Sequence, residues 1–341
     1  MRRAIERLLD RRSSGLRRRA QPDWIQPMLA TLTDRRFSDP DWTFERKLDG
    51  VRCLVFRRGR EVSLQSRNQK ALDNHYPELA DAISAQGEER FIADGEIVAF
   101  ERGQTSFARL QGRMQLTDPD AARRTGIAVF LYLFDLLYLD RYDTTGLELR
   151  DRKRLLREAL SFTGPLRLMS HRNEDGEAYY REACRRGWEG VIAKRASGTY
   201  VRGRSDDWLK FKCVNQQELV IVGFTDPQGS RRGFGALLVG YYDRGRLRYA
   251  GKVGTGFNAA TLERLGRRLE RLERGSSPLD DGEVPERGVH WVRAELVAEI
   301  GFAEWTRDGR LRHPRYLGLK TDKPAREVVR ERPAAARSGS R

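Results

Sequence analysis

A chain of 341 residues is long enough for two ordinary domains, and 39% hydrophobic against 33% charged residues is a globular balance, not a disordered one. Its formal net charge of +16 draws polyanions, nucleic acid first. The most apolar run, Ile127 to Leu139, is short and holds Asp135, which excludes a bilayer span needing roughly 20 apolar residues.

Cys53, Cys184 and Cys213 lie far apart with no C-x-x-C pair, so neither a zinc module nor a disulfide framework is expected, and a reducing compartment fits. The start, MRRAIERLLDRR, has no apolar core or small-residue cleavage site, which points to the cytoplasm. Lysine is scarce: nine of the 65 basic residues, leaving 56 arginines. A guanidinium cannot lose its proton and act as a nucleophile, so lysine marks positions where an amine is required.

Along the chain, residues 1–22 read as an Arg-rich solvated arm in which Ile5, Leu8 and Leu9 could form one short helical face; a DNA contact is the sharper alternative. From Trp42 the pattern turns to strands. Phe44 to Lys47, Val51 to Phe56 and Val62 to Ser66 are separated by turns at Asp49-Gly50 and Gly59. Phe91 to Phe100 and Ile127 to Leu139 suit buried strands, Asp151 to Leu160 and Glu177 to Arg186 suit helices, and Val191 to Lys194 and Trp208 to Lys212 suit further strands.

After Asn215 come short strands at Leu219 to Phe224, Ala236 to Tyr242 and Leu247 to Val253, then a helix from Ala259 to Glu273 with Asn258 as its N-cap. More strands surround Phe302 to Thr306 and Leu311. This half suits a small β-barrel of the oligonucleotide-binding (OB) type. The predicted architecture is α+β: residues 23–215 carry antiparallel sheets with flanking helices, ATP-grasp-like, and residues 216–328 the OB-fold barrel. The chain is expected to fray from Pro324, with a flexible tail at 329–341.

Chemistry concentrates on lysines. Lys47 ends an apolar strand before a tight turn, in Glu45-Arg46-Lys47-Leu48-Asp49-Gly50-Val51-Arg52. A nucleophilic lysine must be partly neutral, which burial and neighbouring cations favour and a lone carboxylate opposes. Lys210 and Lys212, two apart in a predicted strand, share a face and could supply those cations or grip a phosphate. An ordinary amphipathic edge strand fits that pair equally well in isolation.

These residues resemble motif I of the covalent nucleotidyltransferases, the ligases and capping enzymes, and later motifs follow in the family's order. Ser66-Arg67-Asn68 is similar to motif Ia, Asp94-Gly95-Glu96 to the D-G-E block and Phe134-Asp135 to motif III. Glu189 to Lys194 is similar to motif IV and Trp208 to Lys212 to motif V. The segments Gly233 to Leu238, Tyr249 to Gly256 and Leu311 to Pro314 resemble the bacterial end-joining (LigD-type) ATP-dependent DNA ligases, and the likeness runs from about Pro27 to Val328. RNA ligases and capping enzymes share motifs I to V; the block from Gly233 to Gly256 argues against them. The polymerase and phosphoesterase domains that such ligases often carry are not legible, so the expectation is the ligase module alone.

The resemblance implies roles. Lys47 takes up AMP from ATP, Glu45 positions the adenine amino group and Phe134 stacks on the adenine ring. Arg52, Arg67 and Glu96 hold ribose and phosphate, and Lys194 belongs to the nucleotide pocket. Glu96 and Glu189 serve Mg²⁺, with Mn²⁺ as an alternative. Lys210, Lys212, Lys320 and Lys323 neutralise phosphate charge. Core packing of Phe134 and arginine pairing of Glu96 or Glu189 are the plain alternatives. The implied partners are nicked or broken double-stranded DNA and a Ku-like end-binding protein, with the chain a monomer at the bacterial nucleoid.

Two departures stand out. The last motif usually reads Arg-x-Asp-Lys, and here is Lys320-Thr321-Asp322-Lys323, a point charge in place of a bidentate fork. Gln69 and Arg141 occupy positions where the family commonly has glycine, and Asn68 is expected to take the left-handed conformation instead.

Overall fold

The computed structural model describes residues 15–332, apart from 115, 214, 228–232, 282, 283 and 321. Most of the Arg-rich arm, with Ile5, Leu8 and Leu9, and the last nine residues lie outside the described residues. Two compact units are formed, one closing at Cys213 and one running to Arg332.

The first unit opens with β1 (Arg17–Arg18), β2 (Met28–Leu32), β3 (Asp39–Lys47), β4 (Val51–Arg58) and β5 (Glu61–Ser66). Helix α1 (Pro77–Ser84), β6 (Arg90–Glu101), β7 (Gln104–Thr105), α2 (Phe107–Met114) and α3 (Pro119–Arg124) follow. Then come β8 (Val129–Leu139), β9 (Tyr142–Asp143), α4 (Leu149–Ala159), β10 (Leu166–Leu168), β11 (His171–Glu174), α5 (Gly176–Arg185), β12 (Gly190–Arg195) and β13 (Gly203–Lys212).

These strands make two sheets. The larger has the order β1-β9-β8-β6-β4-β5 with β7 and β10 at its margins, and the smaller is β11-β3-β12-β13-β2. Pairing is antiparallel except for β10 with β8 and β2 with β13, so the expected all-antiparallel sheets each carry one parallel pair. Alternation along β4 explains the layering. Val51, Cys53 and Val55 enter a core with Tyr76, Leu79 and Ile83 of the α1 region and Leu155 and Leu156 of α4. Leu54 and Phe56 enter a second core with Leu48, Phe134, Tyr200 and Trp208, which joins the two sheets. Phe44, Val191, Ala193 and Phe211 turn the other way and pack with Tyr179 and Ala183 of α5.

The second unit holds β14 (Asn215–Thr225), β15 (Leu237–Asp243), β16 (Arg246–Val253), α6 (Ala259–Glu270) and β17 (Glu273–Arg274). It continues with β18 (Val289–Val292), β19 (Val297–Phe302), β20 (Glu304–Trp305), β21 (Leu311–Arg312) and β22 (Arg315–Lys320). Asn258 caps α6 as expected, its side-chain oxygen accepting from Thr261 N at 2.8 Å. The predicted barrel is an open one. β14 bears β15 on one edge and β18 and β19 on the other, β19 carries β22, and β22 meets the chain after β16 through an isolated Thr255–Arg315 bridge and the stacking of Phe257 on Tyr316.

Three expectations are corrected. The arm is not free of the fold from Arg17 onward: its arginines stay exposed, but β1 pairs with β9 and Leu16 packs against the first core. Nor does the chain fray at Pro324. Val328 is fully buried, its carbonyl accepts from Tyr242 N at 2.7 Å, and Gln217 holds both Val329 O and Glu331 N. Cys184, on α5, forms a disulfide with Cys213, just after β13, with Cα atoms 5.1 Å apart. The residues are 29 apart in sequence, and only the packing of α5 on the small sheet brings them together. Among the described residues no helix is long and apolar enough to cross a membrane.

Under non-reducing conditions Cys184→Ser is expected to lower unfolding stability by about 3.5 kcal/mol, the chain-entropy value for a loop of this size. After reduction of both proteins the difference should nearly vanish; denaturant titration with and without reductant measures it.

Candidate functional site

The site is laid out by pairing register. β12 lies between β3 and β13, and three alternate rungs read Thr43–Lys194–Trp208, Glu45–Ile192–Lys210 and Lys47–Gly190–Lys212. Every second residue of a strand shares a face, so all nine positions face the same way, opposite to Phe44, Val191 and Phe211. Lys47 and Lys212 thus stand two strands apart, about 10 Å between Cα atoms. Gly190 separates them with no side chain. Its φ is 151°, and a Cβ there would come within 1.9 Å of the Phe211 carbonyl oxygen.

The Lys47 ammonium is ion-paired with the Glu189 carboxylate, the lysine side chain being 20% exposed and the glutamate 6%. The predicted amine is therefore sheltered and directly beside one of the two predicted metal carboxylates. Beside the expected cations stands an acid that the sequence reading did not pair with it, while Lys210 and Lys212 stand on the rungs across β12.

One rung away, buried Glu45 receives two ammoniums, Lys194 at 2.6 Å and Lys153 of α4 at 2.5 Å. Burial alone would raise the Glu45 pKa; the two lysines outweigh it and leave the carboxyl below its ordinary value. Burial pushes Lys194 down to about 8, against the pull of Glu45. Its ammonium lies 4.1 Å from the ring centroids of both Phe134 and Trp208. His171, opposite Glu45 on β11, is also lowered, by burial and then by Lys153.

Arg52 comes from the larger sheet. Its Nε and Nη2 donate to Asp94 at 2.5 and 2.6 Å, and the guanidinium lies 4.7 Å from the Phe134 centroid. Tyr200 donates to the same Asp94 at 2.5 Å and accepts from Met28 N at 2.9 Å, tying β2 into the network. Phe134, 6% exposed, packs edge-on to Trp208 with centroids 6.0 Å apart. The plain alternative of core packing holds for this ring, which also forms a wall for the Arg52 and Lys194 cations. Behind it, Asp135 and Arg152 of α4 form a bidentate pair with fully buried side chains, at 2.7 and 2.9 Å, anchoring the helix that delivers Lys153.

Glu96 pairs in register with Arg52, and its Cγ would lie 3.1 Å from a Cβ at Gly50, so it borders the turn that follows Lys47. That turn demands glycine, because a Cβ at Gly50 would stand 2.1 Å from the Ile97 carbonyl oxygen. Arg67 sits in the turn after β5, which Ser66 organises by accepting from Lys70 N at 3.1 Å. The left-handed residue there is Gln69, φ 61°, and not Asn68; after β8 it is Asp140, φ 56°, so Arg141 needs no such conformation.

Lys320 and Lys323 belong to the second unit. Lys320 pairs with Glu299 at 2.6 Å and Lys323 with Glu218, two acids opposite each other on β14 and β19. Neither acid was singled out in the sequence, nor were Lys153, Asp94, Tyr200 or Trp208 given separate roles. For Lys153 a signal existed, since it is one of only nine lysines.

Residues 27–212 match the family described as ATP dependent DNA ligase domain, and 230–323 match its C terminal region. The chain is 41% identical to the multifunctional non-homologous end joining protein LigD of Pseudomonas aeruginosa, over 92% of this chain and 37% of that protein. It is 35% identical to the protein of the same name from Mycolicibacterium smegmatis, over 92% and 40%. It therefore spans about two fifths of the length of these relatives. A solved structure described as mycobacterial DNA ligase D complexed with ATP and MES superposes with a TM-score of 0.66 at 34% identity, covering 92% of this chain and all of that one.

Lys194 titrates near 10.5 when unfolded and near 8 when folded. Between those values the unfolded state binds more proton, so this group's contribution to stability rises with pH. Unfolding free energies at pH 7.5 and 9.5 should accordingly shift in favour of wild type relative to Lys194→Met; a gap independent of pH would contradict the shift.

Proposed function

Since the chain belongs to the ATP-dependent DNA ligase family, we propose that it seals nicks or broken ends in duplex DNA through an AMP carried on Lys47. The observation that carries this reading is the common face on which Lys47, Glu45, Lys210 and Lys212 stand, with Glu189 against the Lys47 amine.

In the first step the neutral Lys47 Nζ attacks the α-phosphorus of ATP. A nitrogen–phosphorus bond forms, the bond to the bridging oxygen breaks, and pyrophosphate leaves with the electron pair. Glu189 is placed to accept the proton that the ammonium must lose. Lys212 and Lys210 supply fixed positive charge where negative charge grows on the transferring phosphate. Glu45 accepts from the adenine amino group, Phe134 stacks on the base, Lys194 lines the pocket, and Arg52, Arg67 and Glu96 hold ribose and phosphate.

AMP then passes to the 5′-phosphate of the break, and the adjacent 3′-hydroxyl attacks that phosphate and expels AMP. For Lys320 and Lys323 the resemblance implies neutralisation of phosphate charge; within the second unit they pair with Glu299 and Glu218.

Glu96 and Glu189 offer hard carboxylate oxygens, and among the described residues no group of three or more His, Cys, Asp or Glu is placed to hold a metal. A pair of carboxylates completed by phosphate and water suits Mg²⁺, which when bound supplies charge neutralisation at the phosphates. The relatives' description as end-joining proteins supports broken duplex DNA as the substrate; a Ku-like end binder as partner and a monomeric chain are what the family resemblance implies.

With α-labelled ATP and Mg²⁺, Lys47→Ala should abolish label transfer to protein while DNA binding persists; loss of both together would make Lys47 structural. Lys320→Arg should speed self-adenylation several-fold by restoring a bidentate fork, an increase read from the rate of label uptake.

A further inference from the structure

At the end of the larger sheet remote from Lys47, an open groove of about 610 Å³ is lined by Arg18, Arg19, Arg58, Arg90 and Arg141, with Asp23 the single acid among its lining residues. Its position follows from register. Arg52 opposes Glu96 near the nucleotide site, and six residues further along the same two strands Arg58 opposes Arg90, a run of about 20 Å. β1, paired to β9, brings Arg18 and Arg19 to this end. The Tyr138 hydroxyl donates to Arg19 O at 2.9 Å, and Arg19 N donates to Arg141 O at 3.0 Å, fixing the rim.

Three of the arginines have carboxylate neighbours: Arg19 with Asp143 at 3.0 Å, Arg58 with Asp23 at 2.8 Å and Arg141 with Asp140 at 3.4 Å. The three guanidinium side chains are 45–54% exposed, and such exposed pairs yield readily to a stronger anion. Five guanidiniums against three carboxylates leave the groove positive. Arginine forks match phosphate oxygens two at a time, and five of the nine lining residues are arginines.

Resting on the reading of the chain as a DNA ligase, we infer that this groove binds the phosphodiester backbone of duplex DNA flanking the break. The contact is sequence-independent, and at about 3.4 Å per base pair a 20 Å run corresponds to a flank about six base pairs long. The groove prolongs the footprint of the first unit beyond the reacting ends and steadies the duplex while AMP is passed on.

The test uses the full chain and the double variant R18Q/R90Q. Both residues are exposed, so the fold is not at risk. Dissociation constants for a nicked duplex with long flanks are measured against salt concentration, and again for one whose flanks are cut to about four base pairs, below the reach of the groove. For the long duplex the log–log slope should fall by about two in the variant, whatever the DNA sequence. The short duplex should bind both proteins alike, and self-adenylation should be unchanged. An unaltered slope on the long duplex would overturn the proposal, as would equal weakening on both duplexes. If a polyglutamate peptide binds wild type but not the variant while the DNA slopes coincide, the groove takes an acidic protein and the proposal is wrong. Failure of wild type itself to take up AMP would instead sink the ligase reading.

Discussion

The register of β3, β12 and β13 is the constraint on which the site depends. A strand has a side-chain period of two, so a slip of one residue in β12 would send Lys194 and Ile192 into the core under α5 and turn Val191 and Ala193 toward the cleft. The apolar face of these strands, with Phe44, Val191, Ala193 and Phe211 each at 0% exposure, makes that slip costly. Packing on one side of the sheet thereby fixes the chemistry on the other, and the rung between Lys47 and Lys212 admits only glycine, since a Cβ at Gly190 would strike the Phe211 carbonyl oxygen.

Charge is handled by pairing at each depth. At the cleft surface Lys47 faces Glu189; deeper, Glu45 is shared by Lys153 and Lys194; between the sheets Asp94 is shared by Arg52 and Tyr200. Buried ions are tolerated only when partnered, because desolvation costs several kcal/mol per ion. An incoming nucleotide must replace some of these contacts: an adenine amino group at Glu45 competes with two ammoniums already there. Such ion-paired groups are held in place before ligand arrives, which is what positioning a reacting phosphate requires. The second unit repeats the device, with Lys320 and Lys323 held by Glu299 and Glu218.

What the sequence disclosed follows from locality. Lys47, the Asp49-Gly50 turn and the alternation in Trp208 to Lys212 are short-range patterns, and each lands on the strand or turn expected. Contacts that depend on long-range packing were hidden. Lys153 reaches Glu45 from a helix more than 100 positions away, and Cys184 meets Cys213 only because α5 lies on the small sheet. Turn geometry misled at Asn68, where the left-handed residue is the next one, Gln69. Composition did not show that either end is tied down: the exposed Arg-rich stretch supplies a strand from Arg17, and the stretch after Pro324 buries Val328.

The central claim, that this register presents one amine to a nucleotide, is tested most directly by locating the adduct. Wild-type protein incubated with ATP and Mg²⁺, digested and mapped by mass spectrometry should carry a single AMP, on the peptide containing Lys47 and bonded to that side chain. AMP on Lys194, Lys210 or Lys212 in its place, or spread among them, would contradict the account.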